Sequence, residues 1–224
     1  MATQAKSTAE PIRVTEENFI RAESDKYFSA RVALSGIGKL GQIRELMPID
    51  KQTVIRSNRD TLYSAGVFDL EAGPVTMTLP DPGNRFMSAL IIDQDEYALK
   101  TVYAPITFTV SKDDTETRYV LIGVRTFVNP NDPEDVKAAH ALQDAIKVEQ
   151  AGTGTYTVPN WDSVSRDKVR QDDLAAMAGV ARENVSRTLS DWRKRNVVLM
   201  SRDGKLTIDD LTGGTFTITN GGVF

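Results

Sequence analysis

Apolar residues recur along this chain with two different periods, and the change of period divides it. Near the N-terminus the spacing is helical. Phe19, Ile20, Tyr27 and Phe28 make one apolar face, Thr15 is a candidate N-cap, and Glu16 and Glu17 suit the positive end of a helix dipole. The pattern predicts a first helix running to about Val32, ending before Gly36, Gly38 and Gly41. From Thr53 to Arg125 the period shortens to two. The runs YSAGVFDL, PVTMTLP, RFMSALIID, ITFTV and RYVLIGVR are rich in β-branched and aromatic residues. Turn clusters at Asp81-Pro82-Gly83-Asn84 and Lys112-Asp113-Asp114 separate them. Successive short strands predict an antiparallel sheet rather than alternating βαβ units. Helical spacing returns at Val136, Ala139, Leu142 and Ile146, with Asn131 or Asp132 as cap and Pro133 in the first turn.

A loop at Gln150–Gly154 and a short extended stretch, TYTVPNW, precede a second change of pattern. Gln171–Ala178 reads as a short helix with acids in its first turn. Gly179 stands where a helix ends in the left-handed conformation, and Val180 can plug the gap to the next helix. That second helix starts near Ala181 or Arg182. Val185, Leu189 and Trp192 follow one another at i, i+4 and i+7, which gives one buried stripe. Arg182, Glu183, Ser186 and Arg187 then lie on other faces. After Asn196, the stretch VVLMSRDGKLTI reads as two strands joined at Asp203-Gly204. Helix, tight turn, helix and hairpin is the order of a winged helix-turn-helix, whose second helix enters the major groove of DNA.

These residues resemble the DNA-binding domain of the cyclic-AMP receptor protein / fumarate-nitrate regulator family. The pattern D-L-A-x-x-x-G-V-x-R-E-x-V-S-R-x-L carries the resemblance, which covers roughly Lys168 to Leu211. It implies base contacts from Arg182, Glu183 and Arg187, and Ser186, which can also face outward, is a further candidate. Arginine can pair bidentately with guanine, and glutamate can accept from cytosine. Lys194, Arg195, Arg202 and Lys205 are the candidate phosphate contacts. Asn196 stands where the family usually has glycine, and asparagine also tolerates left-handed geometry. No cyclic-nucleotide barrel pattern or long dimerisation helix precedes the module. Cyclic-AMP control is therefore not implied, although a homodimer reading two half-sites remains the expected competent form.

The preceding part resembles a different family, the bacterial domain of unknown function 1254, from about Ile12 to Arg170. The stretches VIRSNRDTLYSAGVFDLEAGPVTMTLPDPGNRFMS, HALQDAI and VPNWDSVS carry this resemblance. It implies a β-rich domain with flanking helices and no established chemistry. Lys168-Val169-Arg170 reads as a junction, as a natural or an engineered fusion would give. The expected fold class is α+β, with a strand-rich N-terminal domain over 1–165, a winged helix-turn-helix over 166–211 and a tail over 212–224.

Charge strengthens the division. The chain of 224 residues carries a net charge of -4, which alone disfavours nucleic acid as a partner. Residues 166–205 hold ten basic and six acidic groups, so a basic module sits on an acidic body. With no cysteine and one histidine, His140, disulfides and zinc sites of the usual kind are excluded, and we expect no metal and no cofactor. His140 falls on the second predicted helix and reads as a half-buried packing residue. No signal peptide or membrane span is legible, so the expected setting is the cytoplasm, with no membrane partner. Gly36-Ile37-Gly38-Lys39-Leu40-Gly41 matches G-x-G-x-x-G, but a helix rather than a strand precedes it, so it reads as a turn.

The N-terminal domain offers one candidate polar site in two clusters: Asn58, Arg59, Asp60 and Tyr63, with Thr61, and then Asp93 and Asp95, with Tyr97. Arg118 and Arg125 are candidate partners. A carboxylate pair with an arginine serves acid–base chemistry or a polar ligand, while the plainer reading is a set of turn caps and ion pairs at strand ends. Two function classes follow. One is a DNA-binding transcriptional regulator with double-stranded DNA as partner and the N-terminal domain as a sensor of a small molecule or a partner-binding body. The other is a ligand-binding or hydrolase-like enzyme with an incidental C-terminal fusion.

Overall fold

A computed structural model gives the structure of the chain and describes residues 10–46, 48 and 58–177. Contacts divide the chain into two units: Met1–Arg44 with Asp60–Val169, and Glu45–Arg59 with Arg170–Phe224. The first unit holds two antiparallel sheets. The larger has strand order β1 (Gly41–Ile43), β2 (Thr61–Asp69), β7 (Tyr119–Phe127), β4 (Met87–Asp93) and β5 (Ala98–Tyr103). The smaller has order β6 (Ile106–Val110), β3 (Val75–Leu79) and β8 (Lys147–Gln150). Helices α1 (Phe19–Ser35) and α2 (Pro133–Asp144) flank the sheets. The fold is thus mixed and strand-rich, and each of the five strands read from the sequence is present. The short β1, the polar β8 and the exposed β5 are additions that alternation did not reveal.

Period-two patterning explains the core. Phe68, Val120, Ile122, Val124, Ala89 and Ile91 project from one face of the large sheet. They pack on Val75, Met77, Leu79, Phe108 and Val110 of the small one. On the outer face of the small sheet, Thr76 meets Thr109 and Thr78 meets Thr107, each at 2.9 Å between hydroxyls. Apolar in and threonine out is what PVTMTLP encodes. The opposite face of the large sheet receives α1, where Phe28 packs with Val67 and Tyr119.

Two helices differ from their sequence reading. Residues 16–18 form a turn, so α1 starts at Phe19 behind Asn18 rather than at Thr15. The Asn18 side chain is drawn back to accept from the Thr15 N–H at 2.9 Å. Its buried face is also different: Ala22, Glu23, Ser24, Asp25 and Phe28 are buried, while Ile20 and Tyr27 are exposed. The predicted helix at 171 begins earlier, as α3 (Ser163–Met177), because Asp162 accepts from the backbone N–H groups of Val164 and Ser165. In α2 the cap is Asp132, accepting from Glu134 and Asp135. The second helix of the helix-turn-helix, its wing and the tail lie outside the described residues.

Gly66 and Gly123 lie on the paired strands β2 and β7 but face different surroundings. A Cβ on Gly66 would stand 2.5 Å from the Lys39 carbonyl oxygen, a backbone atom. On Gly123 it would meet nothing nearer than Leu121 Cδ2, at 3.8 Å. We expect Gly66→Ala to lower stability by about 1–3 kcal/mol through overpacking, and Gly123→Ala to be neutral or stabilising. Urea midpoints of the two variants check this; equal midpoints would refute the close approach at Gly66.

Candidate functional site

The two polar clusters read from the sequence do not form one site. Tyr63 lies in register with Arg125 and, through it, with Ser88. Asp93 lies in register with Val120, five residues further along β7. The clusters are therefore separated by roughly 16 Å along the strands. Asn58, Arg59 and Asp60 precede β2, and the Asp60 carbonyl accepts from the Val128 N–H at 2.8 Å. Asp93 caps a turn, accepting from the N–H groups of Asp95 and Tyr97 and from the Thr115 hydroxyl. Asp95 pairs with Arg21 through two bonds of 2.8 and 2.7 Å. Tyr97 is exposed. Arg118 binds Asp69 instead, through Nε at 3.0 Å and Nη2 at 2.8 Å. His140 is half-buried on α2, with Nε2 at 2.8 Å from the Arg44 carbonyl.

The Asp93 end carries a second cluster that the sequence did not disclose, centred on Asp25. This carboxylate is 1% exposed. Oδ1 accepts from Gln94 Nε2 at 2.6 Å, and Oδ2 accepts from Trp161 Nε1 at 2.8 Å. The Tyr156 hydroxyl donates to the Asp25 carbonyl at 3.1 Å. Burial pushes the Asp25 carboxyl above the usual carboxylate range, against the two side-chain donors that favour its charged form. Burial also raises the Tyr156 phenol. Nearby, Glu23 pairs with Arg166 at 3.1 Å, and the Ser165 hydroxyl accepts from the Val14 N–H at 2.9 Å. Val14, Ala22 and Val169 form a small apolar cluster beside them, with Phe19 and Trp161 packed against it. Asp25, Glu23 and these apolar contacts thus anchor the first turns of α3 on α1. No hydrophobic period marks Asp25, because its partners lie far away in the chain.

Among the described residues no group of three His, Asp or Glu side chains is placed to hold a metal ion, and no helix is long and apolar enough to cross a membrane. Arg182, Glu183, Ser186, Arg187, Lys194, Arg195, Arg202 and Lys205 lie outside the described residues. Of the helix-turn-helix, the first helix is described, as the C-terminal part of α3.

Asp25 sets a pH dependence whose sign is fixed. Its folded pKa lies above the unfolded value of about 3.9, so its contribution is fully present below that pH and is lost as pH rises through the folded value. Asparagine removes the titration but offers a single acceptor oxygen, leaving one of Gln94 and Trp161 unmatched at a cost of about 1–3 kcal/mol at low pH. We expect the stability gap between the parent and Asp25→Asn to be largest at low pH and to narrow as pH rises. Denaturant titrations of both proteins across pH measure it; a gap that widens with pH would contradict the burial of this group.

Two family models match parts of the chain. Residues 37–111 match the family described as a protein of unknown function, DUF1254, and residues 139–213 match the Crp-like helix-turn-helix domain. The second match begins within α2 and includes β8, so its first part is built into the small sheet. Short stretches also resemble the dihydrolipoyllysine-residue succinyltransferase component of the 2-oxoglutarate dehydrogenase complex. The enzyme of Escherichia coli strain K12 is 67% identical over 30 residues, 13% of this chain and 7% of that protein. That of Haemophilus influenzae is 87% identical over 23 residues, 10% of this chain and 6% of its own. That of Bartonella vinsonii is 68% identical over 87 residues, 38% and 21% respectively. The chain thus spans a small fraction of these enzymes' length. A crystal structure from Vibrio parahaemolyticus aligns with a TM-score of 0.47 at 15% identity, covering 84% of this chain and 60% of that one. Two family models thus match separate parts of the chain, DUF1254 over residues 37–111 and the Crp-like helix-turn-helix domain over residues 139–213.

Proposed function

We propose that this chain is a transcriptional regulator that binds double-stranded DNA sequence-specifically, with the strand-rich N-terminal domain as its sensor or partner-binding body. The observation that carries this reading is the Crp-like helix-turn-helix match over 139–213. It is supported by the concentration of ten basic groups in 166–205 of an otherwise acidic chain. In this reading Arg182, Glu183, Ser186 and Arg187 meet base edges, while Lys194, Arg195, Arg202 and Lys205 meet phosphates. The domains divide near residues 165 and 166, the setting is the cytoplasm, and a homodimer is the competent form.

A second reading has one specific observation behind it. Stretches of 23 and 30 residues reach 87% and 67% identity with enzymes of which they cover 6% and 7%. A chain assembled from segments of separate origin gives that pattern, and its parts then fold without acting together.

DNA titration tests the first reading. Replacing Arg187 with alanine should cost about 1–3 kcal/mol on the specific duplex and relax preference at one position. Replacing Lys194 should weaken binding to every duplex and reduce the salt slope by about one. Mobility shifts on duplexes selected from a random pool and on scrambled ones, at two salt concentrations, read both effects. Absence of binding to any duplex at low salt removes the regulator reading. Equal losses from both substitutions on both duplexes remove the assignment of roles.

A further inference from the structure

One row of side chains crosses the large sheet. Ile43 pairs with Tyr63, Tyr63 with Arg125, Arg125 with Ser88, and Ser88 with Tyr103. Residues in register share a face, so these five stand side by side. Thr61 and Phe127 form the next row outward. Phe86 continues that row, its carbonyl accepting from the Phe127 N–H at 2.9 Å. Ala65 and Gly123 lie on the inward side and leave the surface low there. This is the face that α1 covers at its other end, over Val67 and Tyr119.

Arg125 is unlike its neighbours. Arg21, Arg44, Arg85, Arg118 and Arg166 each pair with a carboxylate. The Arg125 guanidinium lies 5.8 Å from the centre of the Tyr63 ring and has neither an ion pair nor a hydrogen bond among the described residues. Its Nε is shut off from solvent. Thr61, 4% exposed, also has a buried hydroxyl without a partner among the described residues. Two buried polar groups lacking partners on one face are costly unless something else satisfies them. Around them the face is aromatic: Phe86, Tyr103 and Phe127 are exposed, and the rings of Phe86 and Tyr103 meet edge to face at 6.1 Å.

We propose that this end of the sheet is a binding site for a small monocarboxylate with an aromatic or otherwise apolar body. The carboxylate is taken by the planar fork of Arg125 and the Thr61 hydroxyl, and the body lies on Tyr63, Phe127 and Phe86. A single unpaired guanidinium matches one negative charge. A phosphate dianion calls for a second cation, and the five arginines named above are already engaged. As an effector site this deepens the sensor reading and rests on it. The binding itself is measured without DNA, so either claim fails without the other.

Benzoate is the probe, titrated into the full chain and followed by calorimetry and by amide NMR shifts. Acetate, benzyl alcohol and inorganic phosphate serve as controls. We expect saturable benzoate binding with shifts centred on Tyr63, Ser88 and Gly123, and weaker binding of all three controls. Arg125→Gln should weaken benzoate roughly 10- to 100-fold, the worth of a charge-assisted pair. Thr61→Val, nearly the same shape, should weaken it less while melting no lower than the parent, since the hydroxyl it removes has no partner among the described residues. If Arg125→Gln does not fold, the position of the shifts and Thr61→Val decide. The proposal is overturned by no saturable shift at millimolar benzoate, by shifts centred elsewhere, by full affinity in Arg125→Gln or in Thr61→Val, or by phosphate binding as well as benzoate.

Discussion

A carboxylate that water cannot reach must be matched donor for donor, and the strand-rich unit is arranged around one such group. Asp69 is 1% exposed at the end of β2. Its oxygens accept from Arg118 Nε and Nη2 and from the backbone N–H groups of Glu71 and Thr155. Burial alone works to raise its pKa, but those donors outweigh it and hold the carboxyl below its ordinary range. The four donors come from β2's own following turn, from the start of β7 and from the loop before α3. A Cβ on Gly154 would collide with Asp69 Oδ2, so the loop approaches closely because that residue has no side chain. Removing Arg118 leaves a buried charge with half its donors, the situation in which breaking an ion pair costs far more than the pair contributes.

Asp25 solves the same problem differently. Its two donors are neutral side chains, Gln94 and Trp161, and burial prevails. One buried carboxyl is therefore held below the ordinary range and the other pushed above it, and the difference follows from the guanidinium and the two backbone N–H donors at Asp69. Both groups fix the segment 154–166, through Thr155 in one case and Trp161 in the other. The chain that leads into α3 is thus held by polar contacts with α1 and the large sheet as much as by apolar packing.

What the sequence disclosed follows from what periodicity records. Strands such as PVTMTLP alternate strictly and were legible. α1 was legible as a helix but not in its orientation, because its buried face is Glu23, Ser24 and Asp25, residues that any count of apolar positions assigns to solvent. The partners of Asp25, Gln94 and Trp161, are 69 and 136 residues away, and that of Glu23, Arg166, is farther still, beyond any local signal. β8, reading KVEQ, has nothing apolar enough to mark it and exists because β3 supplies four paired positions. Gln143 was passed over for Leu142 in α2, yet it is the fully buried one, its amide reaching the Tyr63 carbonyl at 3.1 Å and Ser64 Oγ at 3.2 Å. The two polar clusters around Tyr63 and Asp93 were close enough in composition to suggest one site, and only strand register separates them.

The position of β8 bears on how this chain tolerates being divided. It is an outer strand of the small sheet, four residues long, with charged Lys147 and Glu149 facing outward. Short, charged margins of this kind resist edge-to-edge association between copies. The stretch that matches the helix-turn-helix family begins at residue 139 and takes β8 with it. Cutting there would strip the margin from β3 and leave the Val75–Thr78 backbone open beside a row of buried apolar side chains. A fragment made to the limits of the family match would then be the aggregating one, and the solubility of the N-terminal piece would depend on residues that the match assigns to its neighbour.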